Sequence, residues 1–150
     1  MRNVELERRL DAPRSSVWAV LADFPNIADW NDGIKKSYAT SEALEGVGAK
    51  RHCDLAPLGE LEETIVEWSP DDKMVISVDK AAKIPIKSGL VSFTLAESDG
   101  ATEVTLSYDY EPKGGPLAAF VGPFLDKQLT KGFTGFLSQL EPAAQSRATA

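Results

Sequence analysis

The residues best suited to chemistry lie in the middle of the chain, and the first of them is Arg51. Residues 49–55 alternate as a β-strand does, which places Arg51 and Cys53 on one face. The other face carries only polar side chains, namely Lys50, His52 and Asp54. We therefore expect that face to meet water and Arg51 to point inward. An inward guanidinium requires a partner, because an unpaired buried charge is very costly.

The expected partner of Arg51 comes from the glutamate-rich strand 60–68. If a four-residue loop pairs Leu55 with Glu60, Glu62 lies diagonally beside Arg51. A loop that is one residue longer or shorter puts Glu63 opposite Arg51 instead. The alternative is that these acids lie at an open rim and are solvated, since glutamate is seldom fully buried.

A carboxyl group in an apolar pocket has a raised pKa and can act as a general acid or base. Glu62 and Glu63 are the candidates for that role, and Arg51 is a candidate for polarising a carbonyl group. His52 and Cys53 are adjacent and point to opposite faces of a regular strand, so they form neither a dyad nor a metal site. We find no Ser/His/Asp arrangement, no metal cluster and no phosphate loop, and we expect no cofactor.

The segment from Pro116 to Leu140 is predicted to be a long amphipathic helix, because its apolar residues recur at i, i+3, i+4 and i+7. Gln128 and Gly132 interrupt the apolar stripe. One interpretation is a lid over a cavity, in which Gly132 leaves room and Gln128 offers a polar group. The walls would then be lined by Phe120, Phe124, Phe133 and Phe136. The alternative is a core helix that Pro123 kinks, or a short lead-in helix that ends at Gly122.

The rest of the chain predicts the frame for these residues. A strand at Asn3–Leu10 is followed by a helix that starts at Asp11-Ala12-Pro13 and by a short turn that ends at Trp30. Six strands joined by short turns and loops then lead to the long helix. This order predicts an α+β fold in which a curved seven-stranded antiparallel sheet wraps around the final helix. Trp30 is expected in the core or at the rim of a pocket. On the last strand, either Tyr108 or Tyr110 can lend its hydroxyl to an interior cavity; the alternative is a core ring whose hydroxyl reaches solvent.

Length and composition favour one soluble domain. The 150 residues predict a domain over 1–140 and a disordered tail over 141–150. A net charge of −7 without a basic run argues against nucleic acid as a partner. The single cysteine, Cys53, excludes an internal disulfide and favours a reducing compartment. Without a signal-like start or a stretch long enough to span a membrane, we expect a cytoplasmic monomer or homodimer.

Several short motifs follow one another in a familiar order. They are Asp11-Ala12-Pro13, Val17-Trp18, Asp23-Phe24-Pro25 and Trp30 near the start, Val47-Gly48 with Arg51, a glutamate-rich strand ending in Trp68 before Pro70, and a closing helix preceded by glycines. With them, residues 3–140 resemble the START-like (SRPBCC) superfamily, in particular its bacterial polyketide cyclase/dehydrase-type members. The resemblance implies a helix-grip fold with a deep apolar pocket for lipids, polyketides, hormones or other hydrophobic molecules. Ile34-Lys35, Val47-Gly48 and residues 55–59 are also similar to plant abscisic acid receptors, but the gate sequence departs from theirs, so hormone recognition is not carried over.

Three functions are consistent with this sequence. The first is binding of a hydrophobic small molecule between the sheet and the last helix. The residues predicted to bind it are Trp30, Arg51, Glu63, Tyr108, Phe120, Phe124, Gln128, Gly132 and Phe136. The second is a polyketide cyclase or dehydratase that uses a pocket carboxylate, and the third is an interaction module. We rank binding first, because no residue is singled out as catalytic and function has to be argued from the site.

Overall fold

The computed structural model of the chain describes residues 1–148. Its elements are β1 (Arg2–Leu10), α1 (Arg14–Ala22), a 3₁₀ helix (Phe24–Asp29), β2 (Lys36–Ala39), β3 (Lys50–Asp54), β4 (Glu60–Ser69), β5 (Lys73–Ala82), β6 (Ile86–Ser98), β7 (Ala101–Pro112), a 3₁₀ turn (Gly115–Leu117) and α2 (Ala118–Ala148). This matches the predicted order, which is one strand, two short helical segments, six strands and a long helix. The predicted α+β class is therefore confirmed.

The seven strands form one antiparallel sheet in the order β1-β7-β6-β5-β4-β3-β2. Side chains alternate between a buried inner face and an outer face, as on β7, where Leu106, Tyr108 and Tyr110 are buried. The pairing of β4 with β5 shifts register between Glu62 and Glu63, and again between Ile65 and Glu67. Such irregularities bend a sheet and increase its twist, which helps this one to curve around α2.

Three connections meet at one end of the sheet because neighbouring strands run antiparallel. They are the β3–β4 loop, the β5–β6 turn and the β7–α2 segment. At this end Lys113 N donates to Pro85 O at 3.0 Å, which joins two of these connections directly. The same end holds the first residues of β1, since Arg2 pairs with Tyr110.

The short helix α1 anchors the opposite part of the fold. Pro13 precedes it with extended backbone, and Val17, Val20 and Leu21 are buried. The ring of Trp18 packs edge-on against Trp68 with centroids 5.0 Å apart. Trp18 therefore belongs to the core that joins α1 to the sheet.

The long helix α2 buries a stripe of side chains that includes Leu125, Leu137, Leu140 and Ala144. It continues through Pro123, so the alternative of a short helix ending at Gly122 is wrong. Among residues 1–148, neither helix has the length and hydropathy needed to cross a bilayer.

The segment 141–148, predicted as part of a disordered tail, is helical instead. Ala144 is fully buried there, and Arg147 Nη2 lies 2.8 Å from Asp23 Oδ2. These tertiary contacts with the first helical region stabilise the last turns of α2, and sequence polarity alone does not reveal them. Residues 149 and 150 lie outside the described part of the chain.

Candidate functional site

Arg51 and Glu63 form a buried ion pair on the inner face of the sheet. Arg51 Nε donates to Glu63 Oε1 at 3.0 Å, and each side chain is 8% exposed. The two residues face each other directly in the β3–β4 register, because the connection 55–59 has five residues and not four. Arg51 therefore points inward as predicted, and Glu63 is its partner rather than Glu62.

The remaining contacts of Arg51 come from the 3₁₀ helix. Arg51 Nη1 donates to the carbonyl oxygen of Phe24 at 2.9 Å. The guanidinium carbon lies 3.9 Å from the centroid of the Phe24 ring, which adds a cation–π contact. The guanidinium is thus held on one side by Phe24 of the 3₁₀ helix and on the other by Glu63 of the neighbouring strand.

Cys53 completes the polar cluster without supplying a nucleophile. Its Sγ donates to Glu63 Oε1 at 3.5 Å. Burial raises the pKa of this thiol to about 12, so the thiol is neutral at ordinary pH. A neutral buried thiol packs as a small apolar group and is not reactive.

Trp30 presents an unpaired donor beside this cluster. Its indole Nε1–H is buried and has no acceptor among residues 1–148. The ring packs edge-on against Phe136, with centroids 5.0 Å apart. A buried N–H without a partner costs about 1–3 kcal/mol, so its position calls for an explanation.

A small cavity lies between Trp30, Arg51 and Phe136. Its other walls are mostly apolar and include Val20, Leu21, Ile27, Met74, Ile76 and Phe93. Its volume is only ≈ 10 Å³, about enough for one water molecule. Phe136 stacks on Phe93 at 5.5 Å and fills the space, so this cavity is far smaller than the deep pocket that the resemblance implies.

Tyr108 lies on the same inner face and is buried. Its ring stacks on Tyr110 at 5.5 Å and meets Phe133 of α2 edge-on at 5.2 Å. Burial, with a smaller contribution from the charge of Glu63, raises the pKa of the Tyr108 phenol well above its ordinary value. The phenol therefore stays protonated and can act only as a neutral donor or acceptor.

Four predicted ligand-binding residues on α2 lie away from this cluster. The exposed fractions of Phe120 and Phe124 are 83% and 63%. Gln128 and Gly132 are also exposed, and a Cβ atom at Gly132 would meet nothing within 4 Å. The prediction that these four residues line a ligand pocket between helix and sheet is therefore wrong.

A polar anchor explains the rotation of α2 that exposes them. Arg2 Nη2 pairs with Asp126 Oδ2 at 2.6 Å, and the Tyr110 hydroxyl also donates to Asp126. Gly122 packs on the guanidinium of Arg2, where a Cβ would lie 2.5 Å from Nη1. Phe120 lies two residues before Gly122, and Phe124 lies two residues before Asp126. Two residues correspond to about 200° around a helix, so both rings point away from the anchored side. The sequence pattern of α2 gives no signal for this anchor, because Arg2 lies at the opposite end of the chain from Asp126.

Glu62, the second catalytic candidate, lies on the outer face of the sheet. It is hydrogen-bonded to His52 Nδ1, and His52 Nε2 lies 3.5 Å from Glu60 Oε1. Tyr38 stacks on the imidazole with centroids 5.0 Å apart. The candidacy of Glu62 for pocket chemistry is therefore wrong, because strand alternation turns it away from Arg51.

Comparison with protein families gives a match over almost the whole chain. Residues 1–145 match the family described as "Polyketide cyclase / dehydrase and lipid transport". A search of curated proteins by sequence finds no match.

Several solved structures share the fold at low sequence identity. A START superfamily protein from Mycobacterium smegmatis has a TM-score of 0.80 at 14% identity, covering 96% of this chain and 97% of that one. The Zhui aromatase/cyclase from Streptomyces sp. R1128 has a TM-score of 0.79 at 19% identity, covering 97% and 94%. A protein from Thermus thermophilus has a TM-score of 0.80 at 14% identity, covering 97% and 98%. At such identities the likeness concerns the helix-grip architecture alone.

Proposed function

The chain belongs to the polyketide cyclase/dehydrase and lipid transport family, and from that premise we propose that it binds an apolar small molecule carrying one acceptor oxygen. The ligand lies between the sheet and α2. Its oxygen accepts hydrogen bonds from Trp30 Nε1 and from Arg51 at the inner end of the cavity. Its apolar body packs against Met74, Phe93 and Phe136.

The observation that carries this proposal is the unpaired indole N–H of Trp30 beside the buried Arg51–Glu63 pair. A protein that only needed stability could fill these positions with apolar side chains at similar or lower free energy. Arg51 has five N–H donors, of which Glu63 and Phe24 account for two. Donors that face apolar walls are the usual means by which a cavity orients a mainly apolar ligand.

Ligand entry requires Phe136 to move, since the cavity holds only ≈ 10 Å³ around it. Its ring rests against Trp30 and Phe93 through edge and stacking contacts, without a hydrogen bond. Rotation of one aromatic side chain, with a small displacement of α2, exchanges those contacts for contacts with the ligand.

The test compares two ligands that differ by one oxygen. Displacement of bound anilinonaphthalene sulfonate is followed by fluorescence as 1-naphthol or naphthalene is added. Wild-type protein should bind 1-naphthol about tenfold more tightly than naphthalene, a difference that corresponds to one hydrogen bond to buried donors. Trp30→Phe should remove most of that preference. Trp68→Phe, a matched variant outside the cavity lining, should keep it.

Equal displacement by both ligands in the wild type would contradict the role of the donors. If no apolar compound displaces the dye, the binding function as a whole is contradicted. Either result can be read without knowing the natural ligand.

Catalysis of a cyclisation or dehydration has weaker support. A general base needs a free carboxylate oxygen near the substrate. Glu63 Oε1 accepts from Arg51 and Cys53, which leaves only Oε2 for such a role, and the carboxylate is engaged chiefly as the counter-ion of Arg51.

A further inference from the structure

A stripe of exposed side chains follows one edge of α2. Phe120, Phe124, Lys127 and Lys131 recur at i, i+4, i+7 and i+11, so they lie on one side of the helix. All four are exposed, and Leu117, in the preceding 3₁₀ turn, is 67% exposed. The stripe is apolar at the start of α2 and basic one to three turns later.

Lys87 and Lys113 lie beside the start of α2, although the chain as a whole has a net charge of −7. Residues 80–90 and 112–135 together contain six lysines and one acid, Asp126. Asp126 is held by Arg2 and is not available to offset the lysines. Glu111 also lies at this end, 3.8 Å from Lys87.

Two of these lysines border an open groove at the start of α2. Lys87 and Lys113 line it together with Ala118 and Ala119, and its volume is ≈ 420 Å³. The β3–β4 loop ends at the same edge of the sheet and carries Leu58, which is 69% exposed. Exposed apolar groups and lysines therefore converge at one end of the molecule, where Glu111 offsets the charge of Lys87.

We propose that this end docks on an anionic lipid surface. Leu117, Phe120 and Phe124 enter the boundary between headgroups and acyl chains. Lys127 and Lys131 lie one to two turns away, at the level of the charged headgroups, with their alkyl stems along the apolar boundary. Each lysine near such a surface strengthens attachment, which compensates for the repulsion that the acidic remainder of the protein experiences.

Charge disfavours a second copy of the chain as the occupant. A twofold interface would bury the same patch from both copies, so the positive charge of both sets of lysines would add up in one contact region. An anionic surface neutralises them. The proposal also stands apart from the cavity, because none of the docking residues lines the space between Trp30, Arg51 and Phe136.

The test is co-sedimentation with vesicles of phosphatidylcholine alone or mixed with phosphatidylglycerol. Wild-type protein should partition onto the mixed vesicles at an ionic strength of about 0.1 M and largely dissociate at about 1 M. Phe120→Ala/Phe124→Ala should lower partitioning at least about tenfold. Lys127→Gln/Lys131→Gln should lower it about tenfold or more.

Matched controls lie at the other end of the sheet. Leu44→Ala/Val47→Ala removes two exposed apolar side chains from the β2–β3 connection. Lys50→Gln/Lys73→Gln removes the same number of charges as the α2 double variant. Both should retain partitioning within about twofold, on the ordinary tolerance of distant surface changes.

Three results would overturn the proposal. They are no partitioning of wild type onto anionic vesicles, equal loss in the control variants, and salt-insensitive binding to phosphatidylcholine alone. A concentration-dependent dimer that Phe120→Ala/Phe124→Ala abolishes, without vesicle binding, would identify the stripe as a self-association surface. Vesicle binding without preferential binding of naphthol, or the reverse, separates this proposal from the proposed function.

Discussion

Arg51 Nε donates to Glu63 Oε1 at 3.0 Å across the β3–β4 ladder, and both side chains are buried. Two opposite charges in the interior offset each other's desolvation, but the pair seldom stabilises a protein more than apolar side chains would. The pair also places a guanidinium, held further by Phe24 O, at the wall of a cavity beside Trp30. This relationship is why we assign the polar end of the ligand to this position.

The ion pair predicts an asymmetric response to substitution. Glu63→Leu leaves Arg51 charged and buried, so the free energy of unfolding should fall by about 3–5 kcal/mol. Arg51→Met/Glu63→Leu removes both charges and should recover most of that loss. Denaturant unfolding followed by circular dichroism measures both values.

A surface pair supplies the control for that prediction. Lys73 Nζ lies 3.4 Å from Glu67 Oε2, and both side chains are well exposed. Glu67→Gln should change stability by no more than about 1 kcal/mol. An equal loss in Glu63→Leu and the double variant would show that Arg51 does not depend on Glu63.

The glycines of α2 predict a gain in stability. Gly132 and Gly135 lie inside the helix, and a Cβ at either position meets nothing within 4 Å. Replacement of either by Ala should raise the free energy of unfolding by about 0.5–1 kcal/mol, because glycine loses more backbone entropy in a helix. Urea denaturation tests this. Loss of stability in Gly132→Ala would show that the position faces a packed neighbour and would revive the lid interpretation.

Replacement of Gly89 by Ala is expected to lower the free energy of unfolding, in contrast to the two glycines of α2. A Cβ there would lie 2.3 Å from the Tyr108 hydroxyl oxygen and 2.7 Å from Cζ. The Tyr108 ring cannot yield easily, because Tyr110 and Phe133 pack against it. Gly89→Ala should therefore lower the free energy of unfolding by about 1–3 kcal/mol. A thermal unfolding midpoint equal to that of wild type would contradict this close packing.

The strands were more predictable than the helix for a physical reason. Side chains alternate strictly along a strand, so the polar set around His52 was enough to send Arg51 inward. The choice between Glu62 and Glu63 depended on one loop residue, which the sequence did not determine. In α2, the rotation follows from the Asp126 contacts with Arg2 and Tyr110, which are long-range and carry no local signal. The apolar periodicity alone therefore predicted the wrong face of α2 for Phe120 and Phe124.

His52 predicts a pH dependence of stability. Hydrogen bonding to Glu62 raises the pKa of His52 above its ordinary value of 6.5. A raised folded-state pKa contributes stability below about pH 6.5, and the contribution disappears as pH rises through the folded-state pKa. The free energy of unfolding of wild type should therefore exceed that of His52→Gln by more at about pH 6 than at about pH 9.

Chemical denaturation of both proteins across that range measures the difference. Tyr38→Phe keeps the ring that stacks on His52 and serves as the control, since it should not alter the pH dependence. A gap that is constant with pH, or that widens toward alkaline pH, would show that protonated His52 makes no net contribution.

The most direct test of the account follows the indole N–H of Trp30 by ¹⁵N–¹H correlation spectroscopy. The protein has three tryptophans, so Trp30→Phe identifies the Trp30 resonance by its disappearance. Titration with 1-naphthol should shift the Trp30 indole proton downfield as it begins to donate a hydrogen bond, while the Trp18 and Trp68 indole resonances move little. Naphthalene should perturb the same resonance without the downfield shift. An unchanged Trp30 resonance at saturating naphthol would contradict the assignment of this cavity as the ligand site.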